Sequence, residues 1–211
     1  MILYTIGDSF TYGEELDNPK LYSWPALISQ RFGFNLINEA KPGVGNEFII
    51  KKTILALEKH QPNLVIVGWT SCARQEYADS HGVYDIWPAH NRRKFSNNNL
   101  GFRLPLIDYI TRHNNDLHEY RGWLRQIVLL QSFFQANKQD YLMVSTHDNQ
   151  SRFAQFYTVC QDYYDLIDHT KFVGWPSFGM VEWSYGTAHA VNGHPLEDGH
   201  RKIADEISQH I

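Results

Sequence analysis

The chain has 211 residues, of which 43% are hydrophobic and 20% charged, the composition of a globular domain with a sizeable core rather than of a disordered chain. A net charge of -4 gives no electrostatic basis for binding nucleic acid or acidic membranes, and Arg92, Arg93 and Lys94 form only an isolated basic trio. No stretch approaches the roughly 18 consecutive apolar residues that a membrane helix needs.

Met1 to Ile6 is one buried strand's worth of apolar residues. It is too short for a signal peptide and lacks the basic flank of one, so a cytoplasmic chain starting at Met1 is expected. The strand ends in Gly7-Asp8-Ser9-Phe10-Thr11-Tyr12-Gly13. A serine just beyond a strand sits on a tight turn with its own amide free to face an oxyanion, although Asp and Ser are also ordinary turn and capping residues. Apolar residues at 24, 27, 28 and 32 predict a helix over Trp24 to Phe32, and Phe34 to Ile37 is a weaker second strand. The loop from Asn38 to Asn46 holds Gly43 and Gly45, where a backbone amide can approach a ligand closely. It lacks the Lys-Ser/Thr that completes a phosphate loop. Asn46 stands as N-cap of a helix over Glu47 to Lys59. Leu64 to Val67 reads as a strand covered on both faces, and runs into Gly68-Trp69-Thr70-Ser71.

From about Cys72 to Tyr120 there is no clean period, and we read the segment as an insertion or lid after the third strand. Its aromatic residues Tyr77, Tyr84 and Trp87, with Trp69, Trp175 and Trp183, either form a stacking surface for a sugar or pack a small core of their own. A helix over Leu117 to Ala136, strands at Tyr141 to Val144 and Phe172–Val173, and an amphipathic tail from Gly199 to Ile211 complete the chain. Strands alternating with helices imply one parallel sheet wrapped on both faces, with no repeat or linker, hence one domain over 1–211. Cys72 and Cys160 read as free thiols, Cys72 as a buried one rather than a nucleophile. His189, His194 and His200 match no zinc spacing, so neither a metal nor a cofactor is expected. His194 lies in the loop Asn192-Gly193-His194-Pro195, where the proline restricts the backbone of the histidine before it. His200 reads as a helix N-terminal or packing residue.

Taken in order, Gly7-Asp8-Ser9 after the first strand, the glycine loop after the second, and His194-Pro195 with Gly199-His200 before the last helix resemble the SGNH (GDSL-type) hydrolases across essentially the whole chain. The resemblance implies a flavodoxin-like three-layer α/β/α fold, with a parallel five-stranded sheet in the order 2-1-3-4-5. It also implies a serine hydrolase of short-chain acyl esters, acetyl above all, on a carbohydrate or small molecule. Carried over, Ser9 is the nucleophile and first oxyanion donor, Gly43 the second (Gly45 if the register slips), and His194 the base. Two positions depart from the family. Thr70 stands where the family has an asparagine oxyanion donor, with Arg74 as a substitute and Trp69 and Arg74 as substrate contacts. The acid usually found three or two residues before the histidine is replaced by Val191 and Asn192. Asn192 is then the group expected on the imidazole, in a Ser-His dyad or an atypical triad, with Glu182 and Asp198 as other sources of a carboxylate. A glycan-binding protein that has lost the reaction and an acyltransferase are the competing readings. Gly-Trp-Thr-Ser without an export signal is also similar to phage-encoded members.

Overall fold

The computed structural model describes residues 1–79, 82–86, 115–147 and 153–211. In chain order the elements that matter are β1 (Ile2–Ile6), α1 (Ser9–Tyr12), α2 (Pro19–Tyr22), α3 (Trp24–Phe32), β2 (Asn35–Asn38), α4 (Asn46–His60), β3 (Leu64–Trp69), β4 (Gln75–Asp79), β5 (Gly82–Ile86), α5 (Asp116–Ala136), β6 (Tyr141–Ser145), α6 (Gln161–Tyr164), β7 (Phe172–Val173), α7 (Met180–Trp183) and α8 (Glu197–Ser208).

Five strands form one sheet in the order β2-β1-β3-β6-β7, every neighbouring pair parallel. The expected order 2-1-3-4-5 differs only because β4 and β5 intervene. They pair antiparallel as a separate two-stranded ribbon straight after β3, at the start of the expected insertion. Residues 87–114 of that insertion lie outside the described residues, as do the side chains of Tyr77, Tyr84 and Trp87.

The pleat sorts the strand residues by face, because successive side chains point to opposite sides. Tyr4 and Ile6 of β1, Val65, Val67 and Trp69 of β3, and Tyr141 and Met143 of β6 join one core with α4 and α5. Leu3, Ile66, Leu142 and Val144 join another, with Trp24 and Ile28 of α3 and Ile203 and Ile207 of α8. Helices thus cover both faces, and the three-layer architecture follows from continuous apolar runs that leave no face of the sheet polar.

The order reverses direction at β1, since the chain passes from β1 to β2 on one side and returns to β3 on the other. Ligands in open α/β sheets bind beyond the carboxyl ends of the strands at such a reversal, which here is the turn from Gly7 onward.

The last helix is locked onto α3 by His200, which is fully buried and accepts a hydrogen bond from the Trp24 amide at Nδ1, 3.2 Å. Burial, with a smaller contribution from His194, pushes the His200 imidazole down to about 4 from an ordinary 6.5. A histidine held neutral in the folded state stabilises it fully above the unfolded value, and that stability drains away as pH falls from 6.5 toward 4. The full difference is about 3 kcal/mol. Urea midpoints at pH 7 and pH 4.5 should show this loss, and His200→Asn, which keeps an acceptor without a titrating ring, should flatten it. An unchanged slope in the variant would assign the acid sensitivity to other groups.

Candidate active site

Ser9 opens α1 immediately beyond β1, 5% exposed. Two glycines make the turn possible. A Cβ on Gly7 would stand 2.2 Å from Thr11 Oγ1 and one on Gly68 2.5 Å from the same atom. Only bare backbone at the ends of β1 and β3 therefore lets α1 settle this close to the sheet. The neighbouring Asp8 caps the helix, its Oδ1 accepting from the Phe10 amide at 3.1 Å. Gly13, at φ 83, closes the helix with its amide on the Ser9 carbonyl.

Asp8 is fully buried and saturated with donors. Oδ1 also accepts from Thr146 Oγ1 at 3.0 Å, and Oδ2 accepts from Thr70 Oγ1 at 2.7 Å and Arg74 Nη1 at 3.3 Å. This knot bears on two expectations. The Thr70 hydroxyl donates to Asp8 and is fully buried, so it is not an oxyanion donor in this arrangement. Arg74 Nη1 bonds Asp8 and the Val44 carbonyl, which makes it a brace between the first strand end and the glycine loop. Trp69 is corrected as well: with no exposed surface, it is a core residue on the same face as Val65 and Val67.

The glycine loop arrives at the same end of the sheet. Lys41 donates its amide to the Gly7 carbonyl at 3.1 Å, and Gly43 adopts φ 80. Among the described residues neither the Gly43 nor the Ser9 amide donates to an intramolecular acceptor. Gly45, not Asn46, is the N-cap of α4. Asn46 instead points across to β3, its Oδ1 accepting the Thr70 amide at 3.1 Å and its Nδ2 reaching the Thr70 and Ser71 carbonyls. Cys72 is buried in the core beside Trp69.

His194 rides on a small hairpin. The Leu196 amide donates to Ala188 O, the Ala190 amide to His194 O and the Gly193 amide to Ala190 O, with His189 bridged to Pro195 and Gly193 at φ 87. The hairpin brings the imidazole from the far end of the chain onto the turn that Ser9 opens. Its ring lies edge-on to Phe10, 5.7 Å between centroids, and Phe10 also meets His147 edge-on at 5.9 Å. Both ring nitrogens face carboxylates from the stretch after α1. Nδ1 lies 2.6 Å from Glu15 Oε2, and Nε2 lies 3.3 Å from Glu14 Oε2.

These two glutamates are what the sequence reading missed. Asn192 does not touch the imidazole; its Nδ2 and backbone amide both donate to Glu15 Oε1, at 2.8 and 3.3 Å. Glu182 accepts from the Gly179 amide and Asp198 pairs with Arg201, so neither serves His194. Val191 is fully exposed. The bonds from His194, first, and from Asn192 hold the Glu15 carboxyl below the usual carboxylate range. Glu15 takes the left-handed conformation at φ 67, rare and costly for a residue with a side chain.

The fold is similar to that of solved GDSL and esterase structures. A protein described as lipolytic and of the G-D-S-L family, from Desulfitobacterium hafniense DCB-2, superposes with a TM-score of 0.58 at 11% identity, covering 99% of this chain and 98% of that one. TesA does so at 0.61 and 13% identity, covering 100% and 97%. The psychrotrophic esterase EstA from Pseudoalteromonas sp., in a structure inhibited by monoethylphosphonate, does so at 0.57 and 13%, covering 99% and 95%. The chain thus has the α/β fold of the SGNH hydrolases. By sequence it belongs to DUF6071, a family of unknown function whose model matches residues 14–211. No curated protein matches it. Among the described residues no helix is long and apolar enough to cross a membrane, and no group of three or more His, Cys, Asp or Glu side chains is arranged to hold a metal ion.

Proposed function

We propose that the protein is a serine hydrolase of short-chain acyl esters, acetyl esters first, with Ser9 as nucleophile and His194 as general base. The observation that carries this reading is the convergence of His194 on the turn opened by Ser9, beyond the strand ends where the sheet order reverses. Ser9 Oγ attacks the ester carbonyl carbon while its proton passes to His194 Nε2. The tetrahedral oxyanion lies against the Ser9 and Gly43 amides. Collapse breaks the bond to the alcohol, whose oxygen takes the proton from Nε2 and leaves an acyl-Ser9. Water then gives a proton to Nε2 as its oxygen attacks the acyl carbon, and that proton returns to Ser9 Oγ as the free acid departs.

Two features temper the rate. With the Thr70 hydroxyl spent on Asp8, the hole has two donors, and a missing donor of this kind costs roughly 10²–10³ in turnover. Glu14 Oε2, on a side chain 40% exposed, must also swing off Nε2 before Ser9 can use that nitrogen. The bonded Thr70 is likewise what favours the second reading, a binding protein that kept the fold and lost the reaction. Among the described residues, two of the aromatic side chains lend that alternative little. Trp69 is buried, and Trp175 packs among Trp123, Tyr164 and Phe172. A carbohydrate is proposed only as the alcohol part of the ester.

Release of p-nitrophenol from p-nitrophenyl acetate by the wild-type chain, with Ser9→Ala as the blank, separates the two readings. The hydrolase turns over above that blank, and faster on acetyl than on longer acyl esters. Equal background rates in both proteins would select the binding protein.

A further inference from the structure

We propose that Glu15 is the positioning residue that replaces the missing acid, holding the Nδ1–H of His194 so that Nε2 is left to take the proton of Ser9. This rests on the hydrolase reading above and assigns the one role which that reading leaves open. A carboxylate only accepts hydrogen bonds, so the 2.6 Å contact between Glu15 Oε2 and His194 Nδ1 requires the proton on Nδ1. The neutral tautomer compatible with that contact carries its lone pair on Nε2, available to Ser9 once Glu14 Oε2, 3.3 Å away, has moved off that nitrogen. The same negative charge stabilises the imidazolium formed when the serine proton is taken up.

Three further observations separate Glu15 from a chance surface pair. Its second oxygen is held by two donors from Asn192, the side-chain amide and the backbone N–H, so the carboxylate is fixed at both ends. Asn192 stands two residues before His194, one of the positions where an acid was expected. It works here by orienting a carboxylate contributed from the other end of the chain. The backbone at Glu15 is also left-handed, a conformation a side chain tolerates only when its surroundings hold it there. The side chain of Glu15 is 21% exposed against 40% for Glu14, and Glu14 faces the nitrogen that must receive the proton. Of the two, only Glu15 contacts the nitrogen that has to stay protonated.

The test combines a spectroscopic signature with kinetics. In wild type the Nδ1 proton of His194 should give a far-downfield proton NMR resonance, and Glu15→Gln should abolish it while the thermal midpoint stays within a few degrees. kcat for p-nitrophenyl acetate should fall about 10³–10⁴-fold in Glu15→Gln with KM little changed, as when an acid is replaced by its amide in a serine triad. Glu15→Gly, which suits the left-handed backbone, should be equally slow and should regain at least tenfold when formate is added to supply the missing carboxylate. A resonance that survives Glu15→Gln, a kcat within about threefold of wild type, or no response of Glu15→Gly to formate would each overturn the assignment. If the wild-type chain turned over no ester, the hydrolase reading would fall by itself. The NMR comparison would still decide the Glu15–His194 pairing, because it needs no substrate.

Discussion

Ser9→Ala should lower kcat for p-nitrophenyl acetate about 10⁴-fold or more and leave the fold intact. The magnitude follows from the way nucleophile and base act as a unit. Without the hydroxyl neither the proton transfer to His194 nor the acyl-enzyme exists, and only binding and the oxyanion amides still accelerate attack by water. With two proposed oxyanion donors instead of three, the expected ratio falls toward the lower end of that range. The fold survives because the structural bonds of residue 9 are made by its backbone: the Gly13 and Glu14 amides both donate to its carbonyl. Alanine suits the first turn of a helix at least as well as serine. Steady-state rates on matched protein, with thermal melts beside them, check both halves. A variant that retains more than a tenth of wild-type turnover would remove Ser9 from the chemistry.

Asp8→Ala should have the largest effect on stability, about 3–5 kcal/mol. The Asp8 carboxylate has no solvent-exposed surface and accepts from the Thr70 and Thr146 hydroxyls, the Arg74 guanidinium and the Phe10 amide. Taking it away removes the acceptor that the Arg74 guanidinium and the Thr70 and Thr146 hydroxyls share at the meeting point of β1, β3 and β6. Breaking a largely buried network of this kind from its charged centre carries a cost of this size. In a chain of this length each kcal/mol moves the melting point by about 2–4 °C, so a drop of about 6–20 °C is expected. Asp8→Asn should lose less. One oxygen still serves as acceptor and the threonine hydroxyls can turn to accept from the new amide, whereas Arg74 has only donors to offer. Differential scanning calorimetry of the three proteins reads this order. Equal melting points for wild type and Asp8→Ala would mean that the knot is ornamental.

The parallel sheet was legible because its strands are apolar on both faces. Leu64 to Val67 needs no partner to be recognised, and the helix over Trp24 to Phe32 is bounded as its spacing implies. Ser9 and His194 stand out in the sequence as candidates because strand ends and a proline-held loop mark them locally. Glu15 was not. The acid was sought within a few residues of His194, where backbone continuity would place it, but the contact is tertiary, from a turn beside the opposite terminus. In the sequence Gly13-Glu14-Glu15 looks like a solvated turn, and its only signal was two adjacent carboxylates directly after the helix that Ser9 opens. Thr70 failed for a related reason. A strand-end hydroxyl is a donor in any reading, but which acceptor consumes it depends on Asp8, a neighbour only in three dimensions. Trp69 could have been placed correctly, since it shares the period-two face of Val65 and Val67 and that face is core.

A fluorophosphonate would trap a nucleophilic hydroxyl activated by an imidazole from the far terminus. The reagent needs no knowledge of the natural ester, and peptide mapping by mass spectrometry reports the residue it modifies. One adduct per chain is expected, on Ser9, formed far more slowly in His194→Ala. An adduct confined to another residue, or labelling of Ser9 at the same rate without His194, would contradict these roles of the two residues.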